Sequence, residues 1–288
     1  MSNVAIKDYV LLMKPRVIWL LILAAMAGYV FAASPRINIA YVGELTLVGL
    51  LSTGGSAAFN MYYERDIDAQ MIRTRNRPIP AGRVSPGNAL IESLVLSILG
   101  FALSYLWLGT IPTIFVVLGW FLYAIVYTVF LKCRSWSNIL IGGVAGNAAL
   151  LTGWTVAKPL DLEAILLSMA IYLWIPAHIW SLVIRAKDDY SRTCIKMLPP
   201  LEMSEDRAMI MVALLNVISN IYMLFLYILF LRNLIGLIIL LITAAWSSYY
   251  SVKAMIKPSR EVFWQMFKAS SPVLTVFLLI GMVLSIIK

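Results

Sequence analysis

Within one short stretch, Asn60 to Arg83 (NMYYERDIDAQMIRTRNRPIPAGR), the chain places Glu64, Asp66 and Asp68 beside Arg65, Arg73, Arg75, Arg77 and Arg83. If the backbone stays helical to Met71, then Asn60, Glu64 and Asp68 recur at i, i+4 and i+8 and share one face. An amide and two carboxylates are all oxygen donors, the set preferred by a hard cation such as Mg2+. Arginine is the side chain best shaped to grip phosphate oxygens bidentately. Acid for metal and base for phosphate, together at the end of an apolar run (Tyr41 to Phe59), predict a site for a metal-bound diphosphate. The plainer alternative is a juxtamembrane loop whose basic residues only fix topology. The regular carboxylate spacing favours the site.

A second acidic stretch, IPAHIWSLVIRAKDDYSRTCIKMLP, carries the only histidine, His178, and the pair Asp188 and Asp189. Four apolar segments separate it from the first, a pattern that hints at an internal repeat of helix, acidic loop, helix. Taken alone, Asp188 and Asp189 read as a helix cap or a solvated pair. Lys14 and Arg16, flanking Pro15, either snorkel to headgroups or lean over a cavity shared by the two loops. Lys132 and Arg134 have the same two readings. His178 is either a packing histidine or an ionisable group with a task. Trp154, Trp174, Trp180, Tyr62, Tyr63 and Tyr127 suit an interfacial belt or, facing inward, π faces for a cation.

The elements that must position these residues are membrane helices. Of 288 residues, 61% are hydrophobic and only 13% charged, which excludes a soluble chain. Nine apolar segments approach the ~20 residues that span a bilayer: 12–33, 39–62, 88–108, 111–131, 136–157, 161–184, 206–231, 233–252 and 268–287. The eighth is the weakest, because AWSSYYSV is polar for a span. The net charge of +9 needs no nucleic-acid partner. Of the 23 Lys and Arg residues, 19 fall on the N-terminal side of the implied membrane. Basic residues favour the cytoplasm, so the N-terminus is expected inside and the C-terminus outside. Cys133 and Cys194 then lie in cytoplasmic segments, where a structural disulfide is not expected. Ionisable groups gathered at one surface rather than at mid-membrane argue against a transporter.

At these residues the chain resembles the UbiA superfamily of intramembrane prenyltransferases, and within it the protohaem IX farnesyltransferase branch. Asn60–Asp68 followed by Arg73-Thr74-Arg75-Asn76-Arg77-Pro78 is similar to the family's first motif. His178-Ile179-Trp180 with Lys187-Asp188-Asp189-Tyr190 and Met197-Leu198-Pro199 resembles the branch's second. Tyr127 to Trp154 resembles its segment between spans four and five, although Ala149-Leu150 stands where a Pro-Pro pair is usual.

The resemblance implies an all-α bundle of nine transmembrane helices, one domain over 1–288, with a cytoplasm-facing central cavity. It also implies transfer of farnesyl from farnesyl diphosphate to haem b, with Mg2+ held by Asn60, Glu64, Asp68 and Asp188, and Asp189 beside them. Arg73, Arg77, Lys132, Arg134, Lys187, Lys14 and Arg16 are the implied diphosphate ligands, and His178 and Trp180 the implied haem contacts. Proteins of haem processing or terminal oxidase assembly are the implied partners, besides the lipid bilayer. A quinone precursor or a glycerol phosphate lipid is the alternative acceptor, as in related enzymes.

Overall fold

The computed structural model describes residues 6–197 and 204–287. Leu198 and Pro199 of the second motif, and Lys288, lie outside the described residues. Among those described there is no strand, and nine helices are long and apolar enough to cross a membrane. A short helix α1 (Ile6–Leu12) leads into α2 (Pro15–Ala33) and α3 (Ile39–Tyr63). Then come a six-residue helix α4 (Arg65–Gln70), α5 (Pro86–Leu103), α6 (Thr110–Phe121), α7 (Asn138–Ala157) and α8 (Leu162–Arg185). A single turn α9 (Lys187–Tyr190), α10 (Glu205–Leu226), α11 (Leu234–Ile256) and α12 (Arg260–Ile287) complete the chain. Helices α5, α6 and α10 each end in a stretch of π-helix, Ser104–Leu108, Leu122–Leu131 and Tyr227–Leu231.

Local chemistry sets the boundaries. Pro15 and Pro86 sit in first turns, where a missing N–H costs nothing. Side chains of Asn38, Ser85, Asp161 and Asn233 accept backbone N–H groups at the starts of α3, α5, α8 and α11. The last helix begins at Arg260 rather than near Lys268, because Val262, Phe263 and Met266 already bury one face of its polar first turns. The polar eighth segment also has an explanation. The Asn216 amide donates to Ser247 and Ser251 at 2.9 and 2.8 Å, and Asn220 to Ser248 at 3.0 Å. The serines are therefore the contact between α10 and α11, the kind of polar pairing that joins helices where the hydrophobic effect cannot.

Close packing of α2 on α7 brings the first motif's neighbours together. A Cβ on Gly28 would collide with the Leu150 carbonyl oxygen, and one on Gly153 with the Ala25 carbonyl oxygen. Small residues let these backbones touch. The hairpin of α7 and α8 also corrects the expectation for the cysteines. It brings the ends flanking it together, and Cys133 and Cys194 form a disulfide with their Cα atoms 5.0 Å apart. Their 61-residue separation hid the pairing.

Gly153→Ala should therefore separate α2 from α7 and cost about 1–3 kcal/mol. A lowered unfolding temperature in detergent is the expected readout, and an unchanged one would mean the helices pack more loosely than described.

Candidate active site

The first acidic stretch stays on one helical track. Helix α3 ends at Tyr63 and α4 begins at Arg65, but Glu64 keeps φ −89° and ψ 4°, close to helical. The Glu64 N–H donates to the Asn60 carbonyl at 2.9 Å, and the Asp68 N–H to the Glu64 carbonyl at 2.8 Å. The i, i+4, i+8 row therefore survives the junction, and Asn60, Glu64 and Asp68 all line one cavity of about 710 Å³. All three are buried, at 1%, 3% and 3% exposure.

Each of these oxygen donors is met by a cation from a different element. Lys14 Nζ donates to Asn60 Oδ1, whose amide in turn donates to Thr128 Oγ1 at 2.9 Å. Lys132 Nζ reaches both Glu64 oxygens, at 2.5 and 2.7 Å. Arg77 Nη1 donates to Asp68 Oδ2 at 2.6 Å. Burial by itself would raise the Glu64 carboxyl, but Lys132 and then Lys14 hold it below the usual carboxylate range. Burial, reinforced by Arg77, lowers the Lys14 ammonium from 10.5 to about 7. Lys14 also sits in the left-handed region, φ 54°, as the residue before Pro15.

The second acidic stretch is used otherwise. Asp188 makes a two-point pair with Arg260, 2.6 and 2.9 Å, and that hydrogen bonding holds its exposed carboxyl below the usual range. Asp189 accepts the backbone N–H groups of Ile72 and Arg73, both at 3.0 Å. Arg73 lines the cavity and donates to the Tyr190 hydroxyl at 3.2 Å. Asp189 thus docks the second loop onto the first and fixes the backbone that carries Arg73. Neither acid lines the cavity, so the expected second arm for a metal is not brought to the first. Among the described residues, no three His, Cys, Asp or Glu residues come together as a metal cluster.

Of the other expected residues, Lys14, Arg16, Arg73, Arg77, Lys132 and His178 line the cavity, whereas Arg134, Lys187 and Trp180 do not. Arg134 lies over the Phe130 ring, 6.0 Å from its centre. Lys187 opens α9 beside Asp188, and Trp180 is buried in the apolar cluster that also holds Ile139 and Phe263. His178 is fixed on three sides. Its ring is stacked between Trp174 and Phe267, with centroids 4.0 and 4.2 Å away, and Nδ1 lies 2.8 Å from Ser270 Oγ. Beyond these charged walls the cavity is apolar, bounded by Ala24, Leu45, Val48, Val116 and Leu274.

Sequence reasoning missed Tyr123 and gave Tyr190, quoted in the second motif, no role of its own. Tyr123 stacks on Tyr127 with centroids 5.5 Å apart, lines the cavity and accepts a 3.4 Å hydrogen bond from Lys14. Its i, i+4 spacing from Tyr127 was the available signal; for Tyr190 it was adjacency to Asp189. The π-helical turn at Leu122–Leu131 presents this pair, and π-turns often mark functional sites.

Residues 21–283 match the UbiA prenyltransferase family. A protein from Caldivirga maquilingensis named protoheme IX farnesyltransferase is 57% identical over 274 residues, covering 95% of this chain and 97% of its own. One of the same name from Pyrobaculum arsenaticum is 53% identical, over 94% of this chain and 97% of its own. A solved structure of digeranylgeranylglyceryl phosphate synthase superposes with a TM-score of 0.77 at 20% identity, covering 98% and 99% of the two chains. A UbiA homologue from Archaeoglobus fulgidus, bound to GPP and Mg2+, superposes with a TM-score of 0.69 at 13% identity, covering 98% and 100%. At those identities the likeness shows the fold. On the match over residues 21–283 and the extent of the first two similarities, the chain belongs to the UbiA prenyltransferase family.

Proposed function

We propose that this enzyme transfers the farnesyl group of farnesyl diphosphate to a vinyl group of haem b, giving haem O. The observation that carries the donor half is the cavity itself, with oxygen donors and cations at one end and an apolar bore beyond them. The acceptor half is supported by relatives 57% and 53% identical that are named protoheme IX farnesyltransferase.

Asn60, Glu64 and Asp68 would hold Mg2+, and their all-oxygen donor set suits that ion. When bound, Mg2+ neutralises charge on the departing diphosphate. Lys14, Arg16, Arg73, Arg77 and Lys132 grip the phosphate oxygens, so negative charge gathers where positive charge is already placed. The C1–O bond of the allylic diphosphate breaks. The stacked faces of Tyr123 and Tyr127 shelter the cation against early capture by water. A vinyl carbon of haem b attacks C1, and water then supplies the hydroxyl of the product. With Nδ1 engaged by Ser270, His178 offers Nε2 to haem iron or to a propionate. The cavity's polar end faces the cytoplasm, as 19 of 23 basic residues on that side support.

Three measurements test this reading. Asp68→Asn should insert normally yet lose roughly 100-fold or more in rate, and EDTA should silence the native enzyme. A nearly normal Asp68→Asn enzyme, or activity in EDTA, excludes the metal–diphosphate mechanism. His178→Ala should weaken haem b binding, followed by absorbance, while leaving farnesyl diphosphate binding unchanged. Equal damage to both ligands would make His178 a packing residue, and a native protein that binds no haem would shift the acceptor to a quinone precursor or a lipid. Single cysteines at Ser85 and Ser191, on a background lacking Cys133 and Cys194, should be labelled only from the cytoplasmic face; labelling from outside reverses the orientation.

A further inference from the structure

We infer that the Cys133–Cys194 disulfide is a redox-sensitive strap that holds the second loop closed over the diphosphate end of the cavity. The bond joins the two segments that make that rim. On one side Cys133 directly follows Lys132, whose ammonium grips Glu64. On the other, Cys194 belongs to the run from Tyr190 to Met197, of which Tyr190, Ile195 and Met197 line the cavity. Non-covalent ties cross the same seam. The Lys196 N–H donates to the Lys132 carbonyl at 3.0 Å, and the Asn138 amide donates to the Lys196 carbonyl at 2.7 Å. Tyr127 Oη lies 4.0 Å from Met197 Sδ. Asp189 and Tyr190 anchor the start of the run on Ile72 and Arg73, and the disulfide adds a covalent tie at its far end, where Ile195 and Met197 pack into a buried cluster.

The bond is placed where a reductant can reach it. Cys194 is exposed and Cys133 half-buried, on the charged surface rather than among the membrane-facing helices. Exposed disulfides are the ones open to thiol exchange. A dithiol attacks one sulfur as the thiolate, passes through a mixed disulfide and leaves as its own disulfide. Two electrons and two protons go to the protein, the Sγ–Sγ bond is lost, and Cys133 and Cys194 become thiols. Opened in this way, the run holding Ile195 and Met197 is free to lift from the rim. The donor site then has to be ordered at the cost of binding.

This inference rests on the reading that the cavity takes a prenyl diphosphate, and the test separates the two. Purified protein would be compared before and after dithiothreitol, alongside the variant Cys133→Ser/Cys194→Ser. Alkylation without reductant, read by mass spectrometry, establishes the state of both cysteines. Titration with the hydrolysis-resistant thiolo analogue of farnesyl diphosphate gives the affinity, and brief trypsin treatment reports on the loop. The native protein should resist alkylation. Reduction should weaken the analogue by about tenfold and expose cleavage after Arg192 and Lys196. The double variant should match the reduced protein and ignore dithiothreitol. Free thiols in the native protein, or an opened bond that leaves both affinity and cleavage unchanged, would overturn the strap. Cleavage gained on reduction in a protein that binds no analogue in either state would support the strap and reject the prenyl diphosphate reading.

Discussion

Everything at the polar end of the cavity depends on pairing buried charge. Glu64 and Asp68 are nearly inaccessible to water, and an unpaired carboxylate there would be prohibitive. Each is therefore met by a cation delivered from another element: Lys132 from the end of the π-turn after α6, Arg77 from the loop after α4. Lys14, at the mouth of α2, closes the set on Asn60. Three segments, two of them distant in sequence, are thus pinned to one helical row. The arrangement also suits transfer chemistry. Under the proposed function, a divalent cation and a diphosphate arriving together would exchange partners with these pairs, metal to the oxygens and phosphate to the ammonium and guanidinium groups, without stranding a charge.

The same requirement explains why the two acidic stretches, alike in composition, serve different ends. The carboxylates of Glu64 and Asp68, in the first, lie on the flank of a continuing helix and face inward, whereas Asp66 is exposed. Those of the second follow the end of α8, where the chain turns, and they find Arg260 and two backbone amides instead. One stretch supplies donors to the cavity; the other secures the loop that carries Arg73.

How much of this was legible in the sequence follows from whether local periodicity governs it. The nine spans, and the shared face of Asn60, Glu64 and Asp68, depend on length and on a helical repeat, and both emerge as expected. The fate of Asp188 depends on Arg260, 72 residues away, and that of Asp189 on Ile72 and Arg73, 117 and 116 residues away. No local rule predicts such partners. The cysteine bond was hidden by the same long separation, and by a compartment rule that speaks of averages. The polar run near Ser247 looked like a weak span because its partners, Asn216 and Asn220, belong to another helix. Composition counts polarity without seeing where it is paired.

The grip of Asp189 on the amides of Ile72 and Arg73 bears on how the molecule is made. During synthesis, the loop with the first motif leaves the ribosome long before α8 has been threaded and α9 has formed. Until then its backbone amides lack their acceptor, and Arg73 lacks the Tyr190 hydroxyl. The first half of the chain does not by itself hold the partners of this part of the cavity wall. That surface is finished only when the second half docks.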